Sequence, residues 1–349
     1  MPVISLSSIT NHICQNTNLQ VHDGELLVLA GTTGAGKTTL LNVIAGLTPY
    51  GGSVQFNGTS VDLLPPSKRN VGYLFQEFAL FPHLRVTENI AFGLEARGLD
   101  KKNISRRVAE LLALLKIDHL SNRYPKSLSG GEKQRIALAR TLAPNPEILL
   151  LDEPFSNLDQ RTAKFLRLEI KSLQQKLGLT AVYVTHNQVE AFEMGDRLAV
   201  IRNGQIEQIG VPSEILFNPV SSSVSELFGA PNIFQCSSIE ALDFGLCKAN
   251  CGSLTLIVPY CGKAVDKIAV FPSGVRLSGH PIETPMPNLM QGIVLDVRIK
   301  TPVVLVDIQV KDKRITAEIS SHLWEETHIK ISDPVYATIS LKWIRVLTK

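Results

Sequence analysis

Nowhere in these 349 residues does an apolar run approach the roughly 18–20 residues that a bilayer-crossing helix needs, so the chain is expected not to span a membrane. The opening residues, MPVISLSS, lack the basic stretch and apolar core of an export signal, which leaves a soluble protein as the expectation. Net charge is also small. The 35 basic and 32 acidic residues leave +3, and no basic tract offers an arm for nucleic acid. Cysteine is scarce and odd in number: Cys14, Cys236, Cys247, Cys251 and Cys261. An odd count without an export signal reads as reduced thiols in a cytosolic compartment. Cys247, Cys251 and Cys261 crowd one region, yet their spacing is not the paired C-x₂-C of zinc sites, so ordinary thiols are expected. No tandem repeat of fixed period is evident.

What is present is an alternation of strand-like and helix-like segments over the first two thirds, which predicts an α/β fold. ILLL at 148–151 and TAVYV at 180–184 are apolar without alternating, as in parallel strands buried on both faces. Val108, Leu111, Leu112 and Leu115 recur at helical spacing and predict an amphipathic helix over 105–116. PNP at 144–146 ends a helix before the strand at Ile148. Past Gly210 the character changes to a turn-rich connector and then to β-rich segments (VVLVDIQV, RITAEI, VYATISLKWIRVL) that read as a small all-β barrel. The predicted domains are 1–235 and 236–349.

The stretch GTTGAGKTT follows the apolar run LLVLA and supplies G-x-x-x-x-G-K-[ST] through Gly31, Gly36, Lys37 and Thr38. A loop of this kind wraps backbone N–H groups around phosphates while the following helix points its positive end at them. The candidate nucleotide-binding residues are Gly31, Thr32, Thr33, Gly34, Ala35, Gly36, Lys37, Thr38 and Thr39. Lys37 would reach the outer phosphates and the Thr38 hydroxyl would hold Mg²⁺. A second element, EILLLDEP, delivers Asp152 and Glu153 at the end of a buried strand, where α/β sheets place ligands. Asp152 suits Mg²⁺, held through water, and Glu153 suits polarising the water that attacks a γ-phosphate.

LSGGEKQR at 128–135 makes a second anion-binding helix start, with Ser129 as N-cap and Gly130 and Gly131 allowing close backbone approach. One nucleotide rarely needs two such helix ends from one molecule. If the second end serves a facing copy, ATP bridges two subunits.

With these motifs the chain resembles the ATPase subunits of ABC transporters over residues 1 to about 235. Residues 31–39 resemble the Walker A loop, 148–153 the Walker B strand with its catalytic glutamate, and 128–135 the family signature. The resemblance implies ATP and Mg²⁺ as ligands. It makes Gln76 the Q-loop residue that senses Mg²⁺ and the permease, SNLD at 156–159 the D-loop with Asp159 at the nucleotide, and His186 the switch histidine. His186 also ends a strand expected beside that of Asp152 and Glu153, where it could touch the γ-phosphate or orient Glu153 and water. Family members usually stack an aromatic residue on adenine; none precedes Gly31 here, and His12 or an aliphatic surface is the candidate.

The resemblance further implies a helical subdomain, in which Phe78, Leu80, Phe81 and Leu84 are expected to help form the groove for a permease. The C-terminal segments resemble the OB-like TOBE, or Mop-like, module of importer ATPases. With FGAPNIF at 228–234, the chain is most similar to molybdate or tungstate importers; sulfate, iron, polyamine and sugar importers carry similar modules. The implied partners are a second copy of the chain, separate integral membrane permease subunits and, indirectly, an extracytoplasmic solute-binding protein, without nucleic acid. The implied place is the cytoplasmic face of the inner membrane, as a peripheral subunit. The alternatives are a non-transport ABC ATPase acting on ribosomes or nucleic acid, and a purely regulatory oxyanion-binding protein.

Overall fold

The computed structural model describes residues 2–348 apart from Asn157, Ala230, Tyr260, Cys261, Lys263, Ala264 and 282–285. Cys261 and the Asn157 position of the 156–159 segment thus lie outside the described residues. The chain forms two compact units, Met1–Pro212 and Ser213–Lys349.

The first unit opens with β1 (Ile4–Thr10), β2 (Thr17–Val21), β3 (Leu26–Ala30), α1 (Lys37–Ala45), β4 (Gly51–Phe56) and β5 (Thr59–Ser60). Next come β6 (Val71–Leu74), α2 (Val86–Ala96), α3 (Lys101–Leu114), α4 (Gly130–Leu142) and β7 (Ile148–Asp152). It closes with α5 (Gln160–Leu177), β8 (Thr180–Thr185), α6 (Gln188–Met194), β9 (Arg197–Arg202) and β10 (Gln205–Gly210).

Its main sheet has the order β10-β9-β3-β8-β7-β6, parallel except for β10 at one edge. A smaller antiparallel sheet runs β2-β1-β4-β5. Every residue of β3, β7 and β8 is buried, which is why these strands read as continuous apolar runs. Leu27, Leu29, Ile148, Leu150, Val182 and Val184 share one core with Leu40, Leu41 and Ile44 of α1 and Ile4 and Leu6 of the small sheet. Helix α1 is therefore gripped by apolar packing from Leu40 onward, beyond its first turn. The opposite faces of β3 and β8 meet α6, which in turn packs on α5.

Helices α2, α3 and α4 pack on one another as a helical layer. Helix α3 starts four residues before the 105 expected from its apolar spacing, because Asp100 caps it by accepting the Asn103 N–H at 2.9 Å. It ends before Lys116, whose φ of 57° breaks the helix.

The second unit is antiparallel throughout its strand pairs. Its five-stranded sheet runs Val275–Ser278, Pro334–Ile339, Leu289–Lys300, Val303–Val310, Lys313–Ser320. Two three-stranded sheets accompany it, and Leu256, Val258, Ile268, Val304, Val306 and Ile308 lie in one core. Composition places the domain break near Cys236, whereas the short helices Pro212–Phe217 and Ser222–Leu227 group with the β unit. Polar ties within that unit explain the difference. The Asn218 Oδ1 accepts from Lys267 Nζ at 2.5 Å, and the Asn232 amide donates to Val270 O and Thr316 O. Cys14, Cys236, Cys247 and Cys251 are buried, and the Cys236 and Cys251 sulfurs lie 3.0 Å apart.

Candidate nucleotide site

Strand register assembles the site. Ala30 of β3 stands opposite Thr185 of β8, and Asp152 of β7 opposite Val184. The next residues in each case, Gly31, Glu153 and His186, therefore leave the sheet at the same edge, at the carboxyl ends of adjacent parallel strands.

The loop after β3 is shaped around its own lysine. Lys37 is buried, and its ammonium donates to Gly31 O and Thr32 O at 2.9 Å each. Burial lowers its pKa from the ordinary lysine value, against the pull of Glu153 and Asp152. Gly34 and Gly36 sit at φ 80° and 108°, beyond what a side chain adopts at ease. Gly31 is constrained by space instead: a Cβ there would stand 2.4 Å from Ile201 O of β9. Gly31→Ala is expected to cost about 1–3 kcal/mol of unfolding free energy through this clash, measurable as a lower urea midpoint at unchanged slope. Thr32, Thr33 and Gly34 are exposed, Ala35 is buried, and Thr38 and Thr39 open the first turn of α1, where N–H groups lack intrahelical acceptors.

The Thr38 hydroxyl donates to Asp152 Oδ1 at 2.9 Å. Asp152 is 6% exposed, and burial pushes its carboxyl up, with the Thr38 bond opposing. Tyr73 of β6 was not singled out from sequence; its hydroxyl lies 3.1 Å from Asn42 Oδ1 and 3.4 Å from Asp152 Oδ2. Glu153 turns the chain at φ 42°, fixed by its N–H bond to Val184 O at 3.1 Å. Its Oε2 is 3.0 Å from His186 Nδ1. Gln76 donates to Ser156 Oγ at 3.3 Å, and Ser156 Oγ donates to Glu153 O at 3.1 Å. Lys37, Thr38, Asp152, Glu153, His186 and Gln76 are thus brought to one sheet edge.

The serine–glycine corner is a separate construction. Ser129 caps α4: its Oγ accepts the Glu132 N–H at 3.4 Å, and Glu132 Oε2 accepts the Ser129 N–H at 2.7 Å. Gly130 and Gly131 pack on the chain that leads into α5. A Cβ at Gly130 would stand 2.8 Å from Leu158 Cδ2, and one at Gly131 3.1 Å from Thr162 Cγ2. Asp159 caps α5 by accepting the N–H groups of Arg161 and Thr162 at 3.1 and 3.0 Å. Among the described residues, no hydrogen bond or ion pair joins this corner to the Lys37 cradle. His12 is exposed; the adjacent Ile13 has its Cγ2 3.0 Å from the Cβ position of Gly36, which puts that turn beside the start of α1.

The donor set fits a hard divalent cation. A buried carboxylate whose charge burial disfavours stands against a threonine hydroxyl, both oxygen ligands of the kind Mg²⁺ takes. The cradle fits a polyphosphate, since N–H groups, a helix start and an ammonium converge there.

A sequence model described as ABC transporter matches residues 14–156. The molybdate/tungstate import ATP-binding protein WtpC of Pyrococcus abyssi is 38% identical over 334 residues, 95% of this chain and 95% of that protein. The chain belongs to the ABC transporter family. It is an ATP-hydrolysing subunit of that family, of the importer type. Another relative of the ABC chain, the spermidine/putrescine import ATP-binding protein PotA of Pseudomonas fluorescens, is 48% identical over 218 residues, 62% of this chain and 60% of that one. Among solved structures, the dimeric post-hydrolysis state of the ATP-binding cassette MJ0796 bound to ADP and Pi superposes with a TM-score of 0.54 at 29% identity. That likeness covers 60% of this ABC chain and 98% of the other.

Proposed function

We propose that this ABC ATPase energises uptake of an oxyanion of the molybdate or tungstate type through separate membrane permease subunits. The observation that carries the reading is the match over 95% of both chains to a molybdate/tungstate import protein. A match of that extent has to include the C-terminal β unit, which the higher-identity match over 218 residues does not require.

In this reading two copies close over two ATP molecules. Each lends its Ser129–Gly130–Gly131 corner, with Asp159 beside it, to the nucleotide held by the other's residues 31–39. Lys37 exchanges its loop carbonyls for the outer phosphate oxygens. Thr38, Asp152 and Gln76 would hold Mg²⁺, which supplies positive charge that balances the phosphates when bound. Glu153 takes the proton of the attacking water as general base, and His186 orients Glu153 and the γ-phosphate. His12 is the candidate for the adenine face.

The permease is proposed to dock on the half-buried Phe78, Leu80, Phe81 and Leu84. Arg140 of the signature helix pins this loop, donating to Phe78 O and Ala79 O at 2.9 and 2.8 Å and lying over the Phe81 ring. Movement at α4 is therefore felt where the permease sits. No described helix is long and apolar enough to cross a membrane, so attachment at the cytoplasmic face is proposed to come through the permease. An extracytoplasmic solute-binding protein would deliver the ion, and the β unit, 236–349 in the sequence reading, would be regulatory.

The test is uptake by vesicles reconstituted with the cognate permease and binding protein. Labelled molybdate and tungstate should accumulate with ATP inside the compartment facing this subunit, and a tenfold excess of sulfate should compete poorly. Accumulation of polyamine instead, with neither oxyanion carried, would overturn the assignment.

A further inference from the structure

The imidazole of His186 is 59% exposed, yet it stands 3.0 Å from Glu153. An exposed side chain keeps its direction only if the backbone beneath it is held. Tyr183, Thr185, Glu190 and Arg167, none of which was assigned a role from sequence, form a buried cluster beside that backbone on the other face of the sheet.

Glu190 sits in the first turn of α6, with its side chain 10% exposed. Its Oε2 accepts from Thr185 Oγ1 at 2.7 Å and from Tyr183 Oη at 2.6 Å. Its Oε1 faces Arg167 Nη1 of α5 at 3.4 Å, and the same guanidinium donates from Nε to Glu193 Oε2 at 3.0 Å. The Thr185 hydroxyl has one proton and gives it to Glu190, which leaves its lone pairs for the Asn187 N–H at 3.0 Å. Asn187 Oδ1 in turn accepts the N–H groups of Val189 and Glu190. His186 lies between two residues whose backbone is fixed by this relay, and the relay has a direction only because an ionised carboxylate accepts and never donates.

We propose that Glu190, held by Arg167, is the positioning group that aims His186 at Glu153. Neither residue touches substrate; both act through the 185–187 backbone. The proposal rests on the reading of Glu153 and His186 as the hydrolytic pair. It also assigns a purpose to Arg167: its guanidinium, 3.4 Å from Glu190 Oε1 and 3.0 Å from Glu193 Oε2, fixes where the Glu190 carboxylate stands.

The experiment compares Glu190→Gln, Arg167→Met and Tyr183→Phe in the full-length chain. ATP turnover, Kd for a fluorescent ATP analogue and melting temperature are measured for each, in both the native and the His186→Ala background. An amide at position 190 has a single acceptor oxygen, so its NH₂ must face either the Arg167 guanidinium or the two hydroxyl donors, and one side of the cluster loses its acceptor. Glu190→Gln should therefore lower kcat about ten- to a hundredfold, the scale of a small misplacement of a reacting group. Nucleotide Kd and KM should stay within twofold. The same substitution placed on His186→Ala should cause no further loss, because its route of action is already gone. Tyr183→Phe removes one of the two hydroxyl donors without changing shape, and decides the matter by a smaller drop in kcat should the charged variants fold poorly. Turnover within twofold of native in Glu190→Gln and Tyr183→Phe, with His186→Ala reduced to a low but measurable rate, would overturn the proposal and leave the hydrolytic pair standing. A further drop in the His186→Ala background, parallel to a fall in melting temperature, would show a merely structural cluster. Native turnover in His186→Ala itself would remove the reading on which the proposal depends.

Discussion

The Glu153→Gln variant should hydrolyse ATP about 10²–10⁴ times more slowly than the native chain while binding it with affinity changed by less than about threefold. Glutamine keeps the size of the side chain and can still meet His186, so the φ 42° turn and the 3.0 Å contact need not move. It loses the one property that a general base requires, a site that takes up a proton. Binding and hydrolysis should therefore separate, and ATP should accumulate unhydrolysed between two copies. Phosphate release reads the first effect, and light scattering with Mg²⁺ and ATP reads the second. Turnover within tenfold of native would remove Glu153 from the proton-accepting role.

Lys37→Met should weaken ATP binding by about a hundredfold or more, since charge-assisted bonds to phosphate contribute about 1.5–3 kcal/mol each and this ammonium is proposed to reach the outer phosphates. The effect on the empty chain should be far smaller, no more than about 1 kcal/mol in either direction. Its buried ammonium has a depressed pKa, so the stability contributed by the neutral form is full above the ordinary 10.5, declines as pH falls from there, and is gone below the depressed value. At neutral pH the charged lysine is consequently held at a cost. Methionine removes that cost together with the two bonds to Gly31 O and Thr32 O. Calorimetric titration with ATP and thermal unfolding without it measure the two quantities. A large drop in the melting temperature of the empty chain would mean that the lysine is chiefly structural.

The motifs that build the cradle were legible because their chemistry is contiguous: residues 31–39 carry the turn glycines, the ammonium and the helix start in one stretch. The α/β alternation and the antiparallel C-terminal unit were legible for a related reason, since buried parallel strands and alternating strands have different apolar periods. Register was not. That Ala30 lies level with Thr185, and Asp152 nearly so, follows from strand pairing between segments more than a hundred residues apart for the first pair. Tyr73, Arg167 and Glu190 were missed because each carries its meaning in a partner from another element. Tyr73 looks like any strand aromatic until Asp152 arrives beside it. Arg167 and Glu190 look like solvated charges on amphipathic helices, and only tertiary packing reveals them as buried and paired. The early start of α3 escaped for a local reason, since its first turn, KKNI, shows no apolar period and its signal was the capping aspartate alone.

Helix α5 is 18 residues long, about 27 Å of rigid rod. Near its beginning Thr162 supports Gly131, and five residues on Arg167 grips Glu190. A push at either contact moves the other, because an α-helix scarcely compresses. In the proposed pair of such chains the glycine corner would lean on one ATP and the histidine on the second, so each lever arm would report the occupancy of one chamber to the chemistry of its neighbour.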